Sequence, residues 1–361
     1  MSKRRRSDDE GGPRSRRSHG RRHHLYIAVD DWTEGYSIYK VDVADFDGDS
    51  GADLDSQASR LPVPPVLRLE FPHDCSSRFA AIGGRIVAMR YNQEGNAAPV
   101  LLYDTATGGL ALGPRTPAQV RYVSHLVSAC GRLYVMGASG VYKGEDHFEV
   151  LAADEKGVWT WNAVPMAPFT ISQATCHAAH PDGHTIFFSA FNHGTYSFDT
   201  ETCEWRRHGD WMLPFEGQAY CDGEVDAWVG LHRDSAEPGI LCSCDVVSAG
   251  DDEGLPAPAW KLAREKMVCE ETERTKTVTL TRMGRGKFCL VEHRSRKGVP
   301  TDVLDSRYLF YATTFKLRYD KNGGLRATAC RTRSYTGGDS LTRWMTDHKA
   351  WRSVEIKLNI L

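Results

Sequence analysis

The chain has 361 residues, of which 41% are hydrophobic and 25% charged, with a formal net charge of −2, the make-up of an ordinary soluble protein. Its most apolar stretches, such as Ile186 to Phe191, are far shorter than the roughly 20 residues a membrane span needs. Residues 1–24 hold nine Lys/Arg against Asp8, Asp9 and Glu10, or +6, leaving −8 for the remainder; an acidic body is not expected to grip nucleic acid.

In chain order, residues 1–22 come first, with Arg, Ser, Gly and Asp but no sizeable apolar residue beyond Met1. Such a segment cannot offset its chain entropy by burial, so it reads as a disordered basic tail. No apolar stretch follows the first arginines and no Asn-x-Ser/Thr acceptor occurs. The chain is therefore expected in the nucleus or cytoplasm, not secreted, with its ten cysteines reduced. Within the tail, Lys3, Arg4, Arg5 and Arg6 form one basic cluster and Arg14, Arg16 and Arg17 a second, a pattern that fits a loose nuclear-import signal. A plain solvated tail accounts for it equally well.

Residues 23–361 read as one all-β unit. Runs such as Leu25 to Val29, Arg85 to Met89, Arg132 to Met136 and Thr185 to Ser189 are rich in Val, Ile, Tyr and Phe and are separated by Gly, Asp, Asn and Pro, which is strand and turn chemistry. The best helical stretches, Trp260 to Glu271 and Ser340 to Trp351, are short and poorly capped.

Two markers repeat. A glycine turn feeds an apolar strand at Gly83-Gly84, Gly131, Gly183 and Gly286, with a variant at Gly223. Later in each unit a strand runs into an aspartate turn at Asp104, Asp154, Asp199 and Asp245, with outlying copies at Asp42 and Asp320. The period near 45 residues is that of a four-stranded propeller blade. The count is six blades, with seven as the alternative: Leu25 to Phe71, Arg78 to Pro114, Arg121 to Pro168, Gln173 to Pro214, Gly217 to Leu262, and Val278 to about Tyr335. The first lacks its innermost strand, and Ser353 to Leu358 has the alternation to supply it from the C-terminus.

The paired glycine and Tyr/Phe-Asp markers resemble kelch repeats. Ala28 to Trp32, Phe198 to Trp205, His208 to Phe215, Asp226 to Leu231 and Thr313 to Gly323 are similar to an uncharacterised kelch-like β-propeller family of plant, grass-type proteins. The resemblance implies a propeller over about residues 24–335 and brings no catalytic residues with it.

Candidate chemistry is sparse. Asp45, Asp47, Asp49 and Asp53 alternate like a calcium loop, but Ser50 and Ser56 stand where glycine and glutamate belong, which favours a solvated acidic loop. His177, His180, His184 and His193 share one blade, yet the His180–His184 spacing spans a turn and favours chance over zinc. Cys242 and Cys244 share a strand face, where core packing is the default. No nucleophile elbow, phosphate loop or dinucleotide fingerprint occurs. Trp159, Trp161, Trp205, Trp211 and Trp228 recur within the blades, mostly as packing between sheets.

The expected function is therefore non-enzymatic: a monomeric interaction propeller, an adaptor or regulatory scaffold, with no catalytic or metal-ligating residues and no cofactor. An unidentified protein partner would meet loops on one face, 73–78, 169–175 and 210–218, with His73, Phe169, Trp211 and Phe215 as interaction-face residues. The rival is an enzyme or small-ligand binder that uses the central channel.

Overall fold

The structure is a computed structural model that describes residues 23–336 and 357–360, apart from 32–34, 49–54, 56–57, 71–75, 92–96, 141–143, 234–237, 251–253, 255, 269, 272–273, 296 and 298–308. The basic tail, His73 and most of the acidic loop lie outside the described residues.

Blade 1 holds β1 (His24–Asp30), β2 (Tyr36–Asp42) and β5 (Leu67–Leu69), with the two-residue strands β3 (Asp47–Gly48) and β4 (Ser59–Arg60) on an excursion between them. Blade 2 is β6 (Ser76–Ile82), β7 (Arg85–Tyr91), β8 (Pro99–Asp104) and β9 (Leu110–Arg115). Blade 3 is β10 (Tyr122–Ala129), β11 (Arg132–Ala138), β12 (Asp146–Ala153) and β13 (Trp159–Ala163). Blade 4 is β14 (Ala174–Ala179), β15 (Thr185–Ala190), β16 (Gly194–Asp199) and β17 (Glu204–Gly209). Blade 5 is β18 (Phe215–Asp222), β19 (Ala227–His232), β20 (Leu241–Cys244) and β21 (Trp260–Leu262). Blade 6 is β22 (Thr275–Gly284), β23 (Lys287–Arg294), β24 (Leu309–Tyr319) and β25 (Leu325–Thr336). Blades 2 to 6 are antiparallel meanders in chain order. The stretch read as helical at Trp260 to Glu271 opens instead with the outer strand β21; Ser340 to Trp351 lies outside the described residues.

The sheets close into a ring. Each apolar cluster joins two consecutive blades. Tyr26 and Ile38 meet Phe79 and Ile86; Val87 and Val100 meet Val123 and Val135; Tyr134 and Phe148 meet Phe188 and Phe198. Further on, Phe187 meets Phe215 and Trp228, and Val229 meets Phe288 and Leu317. The last cluster sets Leu25 and Ile27 of blade 1 against Val291 and Phe310 of blade 6. Six blades, the fourth and fifth also joined into one eight-stranded sheet by parallel pairing of β14 with β18, whose cores link first to second and so on, and sixth back to first, form a six-bladed β-propeller.

Burial follows position within a blade. The second strand of blade 4, Thr185–Ala190, is buried at every residue because neighbouring blades cover both its faces, so its sequence shows no in-out alternation and its two polar residues, Thr185 and Ser189, are hydrogen-bonded. The outermost strands β9 and β13 are largely exposed, and β17 is mostly half-buried. A C-terminal strand, β26 (Lys357–Ile360), completes blade 1 on its inner side, pairing Leu25 with Ile360 through Ala28 with Lys357. The C-terminus thus supplies the missing strand, placed a few residues beyond Ser353 to Leu358.

The repeated markers have distinct jobs. Cys130 and Gly131 both take left-handed backbone, φ 53° and 70°, as a tight hairpin with the right twist requires. The repeated aspartate caps its own turn: Asp104 accepts from Ala106 N and Thr107 N, Asp154 from Lys156 N and Val158 N, Asp199 from Glu201 N and Thr202 N, Asp320 from Asn322 N and Gly324 N, and Asp42 from Ala44 N. These bonds replace the missing ladder partners with an Asx turn. The Thr107 N–H holds the Asp104 carboxyl below the usual carboxylate range. Trp205 covers the blade 3–4 seam, ring to ring with Phe198 at 5.0 Å, and its Nε1 donates to Pro165 O at 2.9 Å.

Candidate interaction site

The alternation of connections sorts the molecule into two faces. Glycine and aspartate turns close the lower ends of the blades. The links from each outer strand to the next inner strand cross the upper face, and the stretches 169–175 and 210–218 belong there; of 73–78, residues 73–75 lie outside the described residues. The aromatics expected to anchor a partner on that face do not present themselves. Phe169 is 5% and Phe215 0% exposed; Phe169 packs on Phe188 and Tyr196, and Phe215 belongs to the blade 4–5 core. They hold the linkers down, because an apolar ring on a short linker between two sheets is best buried in the seam beneath it. Trp211 is half-buried against the same core.

The histidines of blade 4 do not converge. His177 is buried on β14, His193 Nε2 meets Gln173 Oε1 at 2.7 Å, and His180 and His184 flank Asp182 at 2.8 and 3.5 Å. Among the described residues, no group of three or more His, Cys, Asp or Glu is placed to hold a metal. Cys242 and Cys244 are buried in the blade 4–5 core, and burial pushes the Cys242 thiol up to about 12, away from the thiolate form that reactive cysteines need. Of the acidic loop, Asp47 pairs with Thr332 on the edge of blade 6.

Two buried polar knots tie blades together. Asp222, fully buried at the end of β18, accepts from Arg282 Nε at 3.0 Å and Gly286 N at 2.9 Å of blade 6 and from Glu224 N at 3.0 Å. Asp55, on the blade 1 excursion, accepts from Arg274 and Arg294 at 2.5 and 3.0 Å and from the Tyr311 hydroxyl, while the Arg294 guanidinium lies 3.4 Å over the Tyr311 ring. These charges are spent on holding blades.

His293, 2% exposed beside Phe310, is neutral at pH 7. Burial, with Lys276 adding, pulls its imidazole down to about 3. An unfolded histidine protonates near pH 6.5, so on acidification the unfolded state binds the proton first. Stability is expected to be independent of this group above about pH 6.5 and to fall by about 1.4 kcal/mol per pH unit between there and pH 3. His208, lowered by burial and by Arg206 and His180, acts in the same direction. Urea unfolding at about pH 7.5 and pH 5 measures the loss; a His293→Leu variant should show a smaller one, and an equal loss would contradict this origin.

Exposed apolar side chains group on the rim, whereas others, such as Phe191 on the β15–β16 connection, stand singly. Leu112 is 71%, Val158 54% and Leu110 51% exposed, and all three line one groove of about 560 Å³ between the outer edge of blade 2 and the β12–β13 turn of blade 3. Trp159 forms its back wall, with Arg85 and Asp104 at its lower end, 3.8 Å apart. The sequence reading passed over this site: the outer strand of blade 4 reads Glu204-Trp-Arg-Arg207, whereas that of blade 2 reads Leu110-Ala-Leu-Gly-Pro114 with no charge before Arg115, but that of blade 3 has none either.

A propeller with a rim groove defines the class of molecule. The chain belongs to the family described as protein of unknown function (DUF1668), whose model matches residues 22–335, nearly the whole ring. No curated protein matches it in sequence. Among solved structures it is similar to apo AztD from Citrobacter koseri (10% identity, 94% of this chain and 98% of that one, TM-score 0.43). It is also similar to a 6-phosphogluconolactonase-like protein from Bacteroides fragilis (12%, 88% and 83%, TM-score 0.45) and to a quinonprotein alcohol dehydrogenase-like protein from Bacteroides thetaiotaomicron (11%, 87% and 78%, TM-score 0.39). The propeller assignment itself rests on the six blades and their six shared cores. Among the described residues, no helix is long and apolar enough to cross a membrane.

Proposed function

We propose that this protein is a non-enzymatic interaction scaffold of kelch-like type that holds a protein partner on its rim. One observation carries the reading: Leu110, Leu112 and Val158, three of the most exposed large apolar side chains, gather in a single groove. Isolated exposed leucines are ordinary, but a grouped set is the mark of a binding surface. Proximity labelling with the full chain in its native tissue tests the reading. A reproducible set of labelled proteins is expected, and its absence would count against a scaffold.

The two basic clusters at Lys3–Arg6 and Arg14–Arg17 support a nuclear location for at least part of the pool, by import-receptor recognition of a basic segment. Deleting residues 2–22 should shift a fluorescent fusion toward the cytoplasm, and unchanged nuclear accumulation would remove the import reading.

A further inference from the structure

Blade 6 runs further down than its neighbours, and its lower end carries a second surface. β24 and β25 have 11 and 12 residues, whereas the matching strands of blade 4, β16 and β17, have six each. Toward the lower turn, β24 alternates cleanly. Phe315 and Leu317 are buried in the core shared with blade 5, and Lys316 and Arg318 are exposed. Side chains at i and i+2 share a sheet face, so Lys316 and Arg318 follow Phe310 and Ala312 on the face turned toward blade 1. Phe310 and Ala312 belong to the core with Leu25 and Ile27. That core stops short of Lys316, so a face that the next blade covers higher up is exposed here.

Register gathers cations on this face. Lys287 stands directly opposite Lys316, Arg318 opposite Arg326, and Thr314 opposite Arg331. Opposite residues share a face, with Cβ atoms about 5 Å apart. Lys287, Lys316, Arg318 and Arg331 are exposed, and among the described residues their side chains meet no hydrogen-bond or ion-pair partner. The carboxylates nearby are engaged with other cations. Glu265 takes Arg326 Nε and Ala327 N, and Asp320 takes Asn322 N and Gly324 N and lies 3.9 Å from Arg326. Higher up, Arg333 donates to Asp45 O and lies over the Tyr335 ring, whose hydroxyl also feels Asp45 and Asp42. Glu224 lies against Gly286 at the seam with blade 5, as Arg285 lies against Gly223. With Asp42, Asp45, Glu265 and Asp320 all counted against Arg326, Arg333 and the four unserved cations, the face stays basic.

This arrangement selects its occupant. Like charges directly opposite one another destabilise a sheet, so the Lys287–Lys316 pair carries a cost that a carboxylate between the two ammonium groups removes. The chain beyond residue 24 has a net charge of −8. A long polyanion that overran this face would meet a repelling body, whereas a short acidic segment would not. Lys316 and Arg318 are about 7 Å apart along the strand, which is also the spacing of carboxylates at alternate positions of an extended chain.

We infer that the lower face of blade 6 docks a short extended segment of a protein partner with carboxylates at alternate positions. This rests on the scaffold reading and gives the scaffold a second surface, apart from the rim groove. The test is fluorescence polarisation of the full chain with a labelled peptide of alternating glutamate and serine. Saturable binding is expected, weakened about tenfold or more when Lys316→Glu and Arg318→Glu are combined, and unchanged in Leu112→Asp. A peptide with glutamine for glutamate should not bind. Both replaced side chains are exposed, so the double variant should melt with the wild type; if it does not, Lys316→Gln with Arg318→Gln decides. Equal binding by wild type and variant, or none by wild type, overturns the proposal. A duplex oligonucleotide or phosphatidylserine vesicles held more tightly through the same two residues would assign the face to another class of polyanion and overturn it. Asp49 and Asp53 lie outside the described residues. Binding that appears only when both are changed to Asn would assign the face to the chain's own acidic loop and overturn it too. A labelled partner set unchanged in the double variant would remove this site while leaving the scaffold reading in place.

Discussion

A chain that ends at Ile356 is expected to lose cooperative unfolding, or to melt roughly 5–15 °C below the full chain. The cut removes only β26, but β26 is the inner neighbour of β1. Without it, blade 1 turns an unpaired strand toward the axis, and the core between blades 6 and 1 loses its inner cover. Leu25, Ile27 and Val29 are at most 1% exposed there. Fully exposing three such side chains costs about 1.5–3 kcal/mol each, a sum comparable with the whole stability of an ordinary domain. A loss of that size moves the melting point by roughly 5–15 °C for a chain of this length. Differential scanning calorimetry of the two chains reads the effect. A synthetic peptide of residues 353–361 added to the shortened chain should restore part of the transition, since the missing piece is a strand rather than a separately folded unit.

Asp222→Ala is expected to destabilise by about 3 kcal/mol or more. The carboxylate is fully buried and accepts three hydrogen bonds, two of them from blade 6. Its removal leaves the Gly286 and Glu224 amides without their acceptor and Arg282 without its counter-charge. Arg282 is 35% exposed along its side chain, so water recovers part of its loss and keeps the figure toward the lower end of the buried-pair range. Asp222→Asn separates the contributions: it keeps an acceptor for the amides and removes the charge, and should cost less. Arg282→Met should cost less than Asp222→Ala, because an unpaired buried carboxylate can still be served by two backbone donors. Urea unfolding of the three variants gives the order. A mild Asp222→Ala would mean that blades 5 and 6 are held by apolar packing alone.

What could be read from the sequence is what is fixed locally. A hairpin through Cys130-Gly131 or an Asx turn at Asp199 needs its residues within a few positions of one another, so the markers repeat visibly and give the blade count. The burial of β15 and the exposure of β13 follow from their positions in a blade once the period is known. Phe169, on an inter-blade link, and Phe215, at the first position of β18, looked like loop aromatics; their cover comes from Tyr196, Phe188 and Trp228, on other strands. The Asp55 knot joins residues more than two hundred positions apart, and the Asp222 knot joins blades 5 and 6 across sixty. The groove is a juxtaposition of Leu110 and Leu112 with Val158, set by the packing of one blade on the next. No local pattern carries such information: the outer strand of blade 2 has no charge before Arg115, but that of blade 3 has none either.

Closure of the ring is most directly tested by amide hydrogen exchange on the intact chain. If β26 lies on the inner side of β1, the amides of Leu25 to Ala28 are covered on both edges of the strand and should exchange as slowly as those of β7, β11 and β15, the second strands of the next three blades. Fast exchange confined to β1, with the other blades protected, would show an open ring and contradict the account.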